Sequence, residues 1–478
     1  MPTRLPPPMV RAAALLAAVP LLIWPALWNG HPIIFPDSTA YGLHAATGLP
    51  PWDKALPYGW WLALLGGGAS VWPPVIAQAL AVSWLLWLAQ RAVRGRAEIG
   101  VHLLLALGLA LFSTAPWFTG LLMPDILGPV AVLALWLLGF AEARTSRAER
   151  LALILLAGFA IATHPTHLAV AAAMVGVALP WRRSWRPALR MALPLGMAIA
   201  LLLGGNLWER GQASLSPTGP VFLFARLQAD GPATRTLQRE CPQAGWEMCR
   251  ALDAFPMHSD RFLWHGESPL NRGPDGAPRH RHGIAFAAEA RAINAATLQA
   301  EPSAVIGAAV ANGMRQLVTL RLGDILDGEH ARSFGEEVLR PHFPPDAYAR
   351  FARSLQRGPG LERLARPFDA TQRLALLLSL LLGLVAAWQR WQATTARGAS
   401  RGPGRWPSPW RTGPAADPRL ALLACVAVGV VANAFVCGAL SGVYDRYQAR
   451  ITWLLPLVAA LSLWPQRAPR TASASSAT

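Results

Sequence analysis

The run LALLACVAVGVVANAFVCGAL, residues 420–440, carries no charged side chain. As a helix rising about 1.5 Å per residue it is long enough to cross the roughly 30 Å hydrocarbon core of a bilayer. Runs of the same character lie at Val10–Trp28, Val71–Leu88, Leu103–Phe118, Ile126–Phe140, Met191–Leu207, Leu374–Trp388 and Ile451–Trp464. Several fall short of the ~20 residues a span needs, so their ends are expected to extend into flanking polar residues. Composition agrees. The chain of 478 residues is 53% hydrophobic and 14% charged, with a mean hydropathy of +0.31, where a soluble domain carries about 25% charged residues. A cytosolic globular enzyme and a disordered chain are excluded, and the fold class that follows is an all-α polytopic membrane protein.

The net charge of +17 reads as topology. No basic stripe is interleaved with exposed aromatics outside the apolar runs, so no nucleic-acid partner is expected. Lys54 is the only lysine; all other basic side chains are arginines, many of them between apolar runs. Arg4 precedes the first run and Arg11 stands at its start; the run ends Pro25-Ala26-Leu27-Trp28-Asn29-Gly30 with no small-x-small cleavage site and so reads as an anchor. The positive-inside rule puts Arg91, Arg94 and Arg96 in the cytoplasm, with Arg397, Arg401, Arg405 and Arg411. Leu151–Leu179 is interrupted by Thr163-His164-Pro165-Thr166-His167, with Arg144, Arg147 and Arg150 before it and Arg182, Arg183, Arg186 and Arg190 after it. It therefore crosses an even number of times, as two short helices or as a re-entrant hairpin with the histidines at its tip. Counted as two, it brings the total to about ten spans with both termini cytoplasmic, and a bacterial inner membrane is the expected location.

This topology divides the chain into an N-terminal transmembrane module, residues 1–208, with a first outer loop at 29–70; an extracytoplasmic, periplasmic domain at 209–371; and C-terminal transmembrane helices at 372–466. A cytoplasmic linker at 391–418 is rich in Arg, Gly and Pro, and 467–478 reads as a disordered cytoplasmic tail. Shorter outer turns fall at Gly120–Pro124 and Ser441–Gln448. The outer domain, about 160 residues, is long enough to fold by itself. Its second half reads as helical over Ala285–Leu298 and Ala304–Leu322, after a loop at Gly273–Gly283. Of four cysteines, Cys425 and Cys437 lie in a span and read as small buried hydrophobes. Cys241 and Cys249 lie in the outer domain, where an oxidising compartment pairs them.

Ionisable groups beside or within a membrane are costly and mark candidate sites. Phe35-Pro36-Asp37-Ser38 and Met123-Pro124-Asp125-Ile126 each set a carboxylate after a proline at the outer boundary. Each Asp reads either as a helix cap or as a functional acid. Ser38 can take the capping role in the first motif, which frees Asp37 to act as a general base. The stretch after it, with Tyr41, Leu43, Leu49, Trp52, Leu56, Tyr58, Trp60 and Trp61, reads as an amphipathic element at the membrane surface. Arg446 and Arg450 share a helix face and suit phosphate oxygens, with headgroup snorkelling or pairing to Asp445 as the alternative. His164 and His167 read as further donors, a proton relay or a structural pair. Arg279-His280-Arg281-His282 reads as a solvated loop rather than a metal site. Phosphate-loop, Gly-x-Ser-x-Gly and His-Glu-x-x-His motifs are absent from the sequence.

With Asp37 soon after the first span, Ser38–Trp61 in the loop behind it and a second outer carboxylate at Asp125, the chain resembles the GT-C superfamily of membrane glycosyltransferases. It is also similar to uncharacterised proteobacterial integral membrane proteins, through Phe35-Pro36-Asp37-Ser38 and Asp230-Gly231-Pro232 to Cys241 and Cys249; that likeness implies no activity. The GT-C resemblance implies inverting transfer of a sugar from a polyprenyl-phosphate carrier to a glycan, lipid or protein acceptor on the periplasmic face. It implies Asp37 and Asp125 as catalytic residues, and His164, His167, Arg446, Arg450 and Tyr41 as substrate or phosphate contacts. The first loop lacks Asp-x-Asp and the outer domain lacks Trp-Trp-Asp, so no cofactor is assigned and a divalent metal is left open. The rival readings are a polysaccharide polymerase or ligase, a transporter or flippase for a lipid-linked substrate, and a non-catalytic assembly protein.

Overall fold

The computed structural model describes residues 8–181, 185–273, 275–279, 282–329, 331–399 and 418–463. The tail 467–478, Arg4, Arg182, Arg183, His280, Arg281 and most of the linker, with Arg401, Arg405 and Arg411, lie outside them. The described chain is helical, without a β-strand; two isolated bridges are its only extended pairings. Four helices are long and apolar enough to cross a membrane: Trp72–Arg94, Trp185–Arg210, Gly360–Gln389 and Pro418–Leu440. Pro8–Leu22, Ile99–Phe112, Pro124–Phe140 and Pro165–Leu179 are shorter apolar helices.

Leu127–Phe140 is the pole of the bundle. Every residue in it is buried, and Trp72–Arg94, Arg147–Ala162, Pro165–Trp181, Trp185–Arg210 and Pro418–Leu440 pack around it. Gly429 lets the last of these approach, since a Cβ there would stand 2.9 Å from Val132. Gly360–Ala399 lies at the edge and leaves Leu374, Leu377, Leu381 and Leu384 uncovered, the pattern of a helix whose outer face meets lipid. Arginines that read as cytoplasmic converge on shared acids: Arg11 and Arg91 meet Glu149 at 3.8 and 2.5 Å, and Arg190 meets Glu142 at 2.7 Å.

Three apolar runs are broken within their length. Leu103–Phe118 divides at Ser113, whose hydroxyl bonds back to Leu109 O, into Ile99–Phe112 and the short Ala115–Thr119. Leu151–Leu179 is two helices, Arg147–Ala162 and Pro165–Trp181, with His164 in the break. Ile451–Trp464 divides at Trp453 into Asp445–Thr452 and Leu454–Leu463. The first outer loop also departs from the surface element expected of it. It forms two helices, Pro36–Thr47 and Leu56–Gly66, that turn Tyr41, Leu56 and Tyr58 into the protein. Tyr41 and Tyr58 pack edge to face at 5.0 Å, and the Tyr58 hydroxyl donates to Gln78 at 2.7 Å.

A second core, centred on Phe224, Phe262 and Phe286, gathers residues between Val221 and Val305, whereas Leu322, Phe334, Val338, Phe351 and Leu361 belong to the core of the bundle. The expected helices there are His282–Ala300 and Pro302–Leu317, and the Pro- and Gly-rich half before them is helical too, over Gly219–Ala229 and Pro232–Ala244. Cys241 and Cys249 form a disulfide, while Cys425 and Cys437 are free and buried. Arg279 pairs with Glu247 at 2.7 Å, so that part of the expected solvated loop is tied down.

Candidate functional site

Phe35-Pro36-Asp37-Ser38 begins a helix at Pro36 because proline suits the first helical position and Ser38 satisfies the backbone before it. The Phe35 N–H donates to Ser38 Oγ at 3.0 Å, and that hydroxyl donates to Leu122 O at 3.0 Å. Asp37 thus stands in the first turn with its carboxylate turned to other partners. Lys54 Nζ lies 3.0 Å from Oδ1 and Arg446 Nη2 3.3 Å from Oδ2, while the Asp37 side chain keeps 22% of its surface open. Burial alone would raise the Asp37 pKa; Lys54 and Arg446 outweigh it and hold the carboxyl below its usual range. Lys54 also meets Asp53 at 2.6 Å, and these two acids overcome burial to hold its ammonium pKa above the ordinary lysine value.

The Lys54 loop is braced from the far end of a span. Arg210, closing Trp185–Arg210, donates to Pro51 O and, at 2.9 Å, to Lys54 O. Its neighbour Glu209 accepts from Trp60 Nε1 at 2.5 Å and pairs with His44 Nε2 at 3.0 Å. Arg446 is braced as well: its guanidinium lies 3.9 Å from the Phe35 ring centroid and 5.0 Å from that of Tyr447. Its Nη1 is buried with no hydrogen-bond partner.

One turn along Asp445–Thr452, Arg450 reaches the second carboxylate. Arg450 and Asp125 pair at 3.4 Å with side-chain exposures of 1% and 2%. Arg450 Nη2 also donates to Asn433 Oδ1 at 3.0 Å and to Thr166 Oγ1 at 3.1 Å. The Thr166 hydroxyl in turn bonds His164 Nδ1 at 2.8 Å, and the Thr166 N–H points to the same nitrogen at 3.3 Å. Two donors on Nδ1 leave the His164 proton on Nε2. His167 stacks 5.3 Å from His164 and bonds Ala160 O through Nδ1 at 2.9 Å. Its Nε2 is buried and unpartnered at a small apolar cavity lined by Gly128, Val132, Val170 and Ile451.

The geometry therefore brings Asp37, Asp125, His164, His167, Arg446 and Arg450 into one network. Tyr41 packs against Tyr58 nearby: burial raises its pKa well above the usual tyrosine value, and the charges of Asp37, Asp53 and Asp125 add to the shift. Neither carboxylate makes a cap bond to the helix it precedes. Arg450 neither snorkels nor pairs with Asp445. The network also includes residues that sequence reasoning did not place, namely Lys54, Asp53, Thr166, Asn433 and Tyr447. Lys54 had a signal, being the only lysine in an arginine-rich chain. Residues 209–371 close over the network, with Tyr444 Oη donating to Asp260 at 2.6 Å and the Arg446 N–H to Asp324 at 3.4 Å. Among the described residues, three or more His, Cys, Asp or Glu are nowhere gathered as metal ligands. Cys241, bonded to Cys249, packs against the second core.

Comparison with protein-family models, with curated proteins and with solved structures found no match for the chain.

Proposed function

We propose that the chain is a GT-C-like membrane glycosyltransferase that moves a sugar from a polyprenyl-phosphate carrier to an acceptor on the periplasmic face of a bacterial inner membrane. In this reading it has about ten spans, cytoplasmic termini and a periplasmic domain at 209–371. The observation that carries it is Asp37, a partly open carboxylate clamped by Lys54 and by an arginine with an unused buried donor. A sugar–phosphate cleavage needs a base for the acceptor hydroxyl and cations for the departing phosphate. The clamp supplies both in one place.

As the acceptor oxygen bonds to the anomeric carbon, its proton passes to Asp37. The carbon–oxygen bond to phosphate breaks, and its electron pair leaves with the lipid phosphate, whose charge Lys54 and Arg446 meet. Paired to two cations, Asp37 is a weak base; phosphate drawing those cations toward itself raises its basicity when the donor is bound. Asp125 and Arg450 hold the helix that presents Arg446. Replacing Asp37 by Asn in a strain with a defined surface glycan should lower transfer about 100-fold or more with protein level unchanged. Unchanged glycan at normal protein level overturns the assignment.

His167 Nε2, buried without a partner among the described residues at a cavity inside the helix bundle, favours a second reading, transport of a lipid-linked substrate. Substrate flux in proteoliposomes without bond cleavage would select it.

A further inference from the structure

The helix Pro302–Leu317 packs along Pro418–Leu440, a helix long and apolar enough to span a membrane. The contact is backbone to backbone. A Cβ at Gly438 would stand 2.7 Å from Asn312 O, and one at Gly313 would stand 2.6 Å from the Phe435 ring. Small residues that let two helices approach so closely are the packing mode of helices in lipid. The opposite face is apolar and uncovered: Ile306 is 63% exposed, Val310 48%, Met314 55% and Val318 76%. Spaced four apart, these residues form one stripe. From Pro302 to Met314 the helix holds no charged residue. Its charges are at the ends, where Glu301 pairs with Arg235 and Arg315 bonds Asn312 at 2.8 Å. The neighbouring span likewise leaves Val431 and Leu440 uncovered.

We propose that the Ile306–Val310–Met314–Val318 stripe lies against the acyl chains of the membrane and docks residues 209–371 to the bilayer. A stripe of this size facing water would be an aggregation hazard. The charged ends suit a helix held at the hydrocarbon boundary, with its termini in the polar layer. Docked there, the second core, with Asp260 on its edge, is held beside Tyr444. The proposal rests on the membrane reading alone and is independent of the transferase assignment.

The test attaches an environment-sensitive fluorophore to Val310→Cys in nanodiscs containing brominated phospholipid. Leu381→Cys serves as the lipid-facing reference and Glu240→Cys as the aqueous one. The native free thiols are buried, and unsubstituted protein supplies the background. The expected result is bromolipid quenching at least half that of Leu381→Cys, with reaction toward a membrane-impermeant maleimide at least 10-fold slower than Glu240→Cys. Fast maleimide reaction without quenching overturns the proposal. So does protection from both probes, and disulfide cross-linking of Val310→Cys between copies would then identify a second copy as the occupant. Ile306→Cys and Met314→Cys repeat the test should Val310→Cys fail to fold.

Discussion

Asp37 and Asp125 begin from the same local pattern, a proline followed by aspartate at the start of a helix, and both end paired to an arginine of Asp445–Thr452. They differ in access. Asp37 keeps 22% exposure and shares two cations, whereas Asp125 and Arg450 are sealed at 2% and 1%. A pair with an open side can exchange a partner for a ligand; a sealed pair cannot, and holds its helix in place. One motif thus gives an open pair at the rim and a sealed one in the interior, and depth decides which.

The largest effect belongs to the sealed pair. Arg450→Leu leaves Asp125 charged and unpartnered in the bundle, and should cost about 3 to 5 kcal/mol, read as lost protein level and a lower unfolding midpoint in detergent. Adding Asp125→Leu should restore part of that loss. If Arg450→Leu matches wild type in stability, the two carboxylates do not differ in the way proposed. Thr166→Val is next, since it removes one acceptor from the Arg450 guanidinium, and about 2 kcal/mol should be lost in the same assay. The smallest change concerns the rim. Lys54→Met removes the nearer cation from Asp37, whose carboxyl is held low by that partner. A carboxyl pKa held low in the fold contributes stability above its unfolded value, which is lost as pH falls through the folded value. Without Lys54 that threshold rises, so the acid limb of transfer activity should move to higher pH. An unmoved acid limb would separate Asp37 from the reaction.

Most of the residues in this network were legible as polar groups stranded beside apolar runs. Asp37, Asp125, Arg446, Arg450, His164 and His167 stand out because lipid-solvated helices have little reason to carry them. Their pairing was not legible. Arg446 lies 409 positions from Asp37 and Arg450 lies 325 from Asp125, and no local periodicity records contacts at such separations. Asn433 and Thr166 were hidden for a different reason: inside an apolar run a lone amide or hydroxyl reads as tolerated, and only the guanidinium opposite gives it a role. For the fold, the charge-free run at 420–440 was unambiguous. The runs broken at Ser113 and His164 were not, because hydropathy averages over the polar residue that ends a helix. Tyr41 and Tyr58 misled for the same reason, as aromatics beside a membrane suit lipid headgroups and protein interiors equally well.

The side chain of Gln356 bonds both Ile34 N–H and Ile34 O, and its own backbone N–H donates to Asn29. These bonds fasten the entry to the first outer helix to a residue 322 positions later. At a synthesis rate of 5–20 residues per second the clasp waits roughly 15 to 65 s for its second half to be made. Arg446 arrives later still, whereas Lys54 is translated moments after Asp37. Of the two cations that flank Asp37 in the finished fold, the only lysine is therefore the one made first.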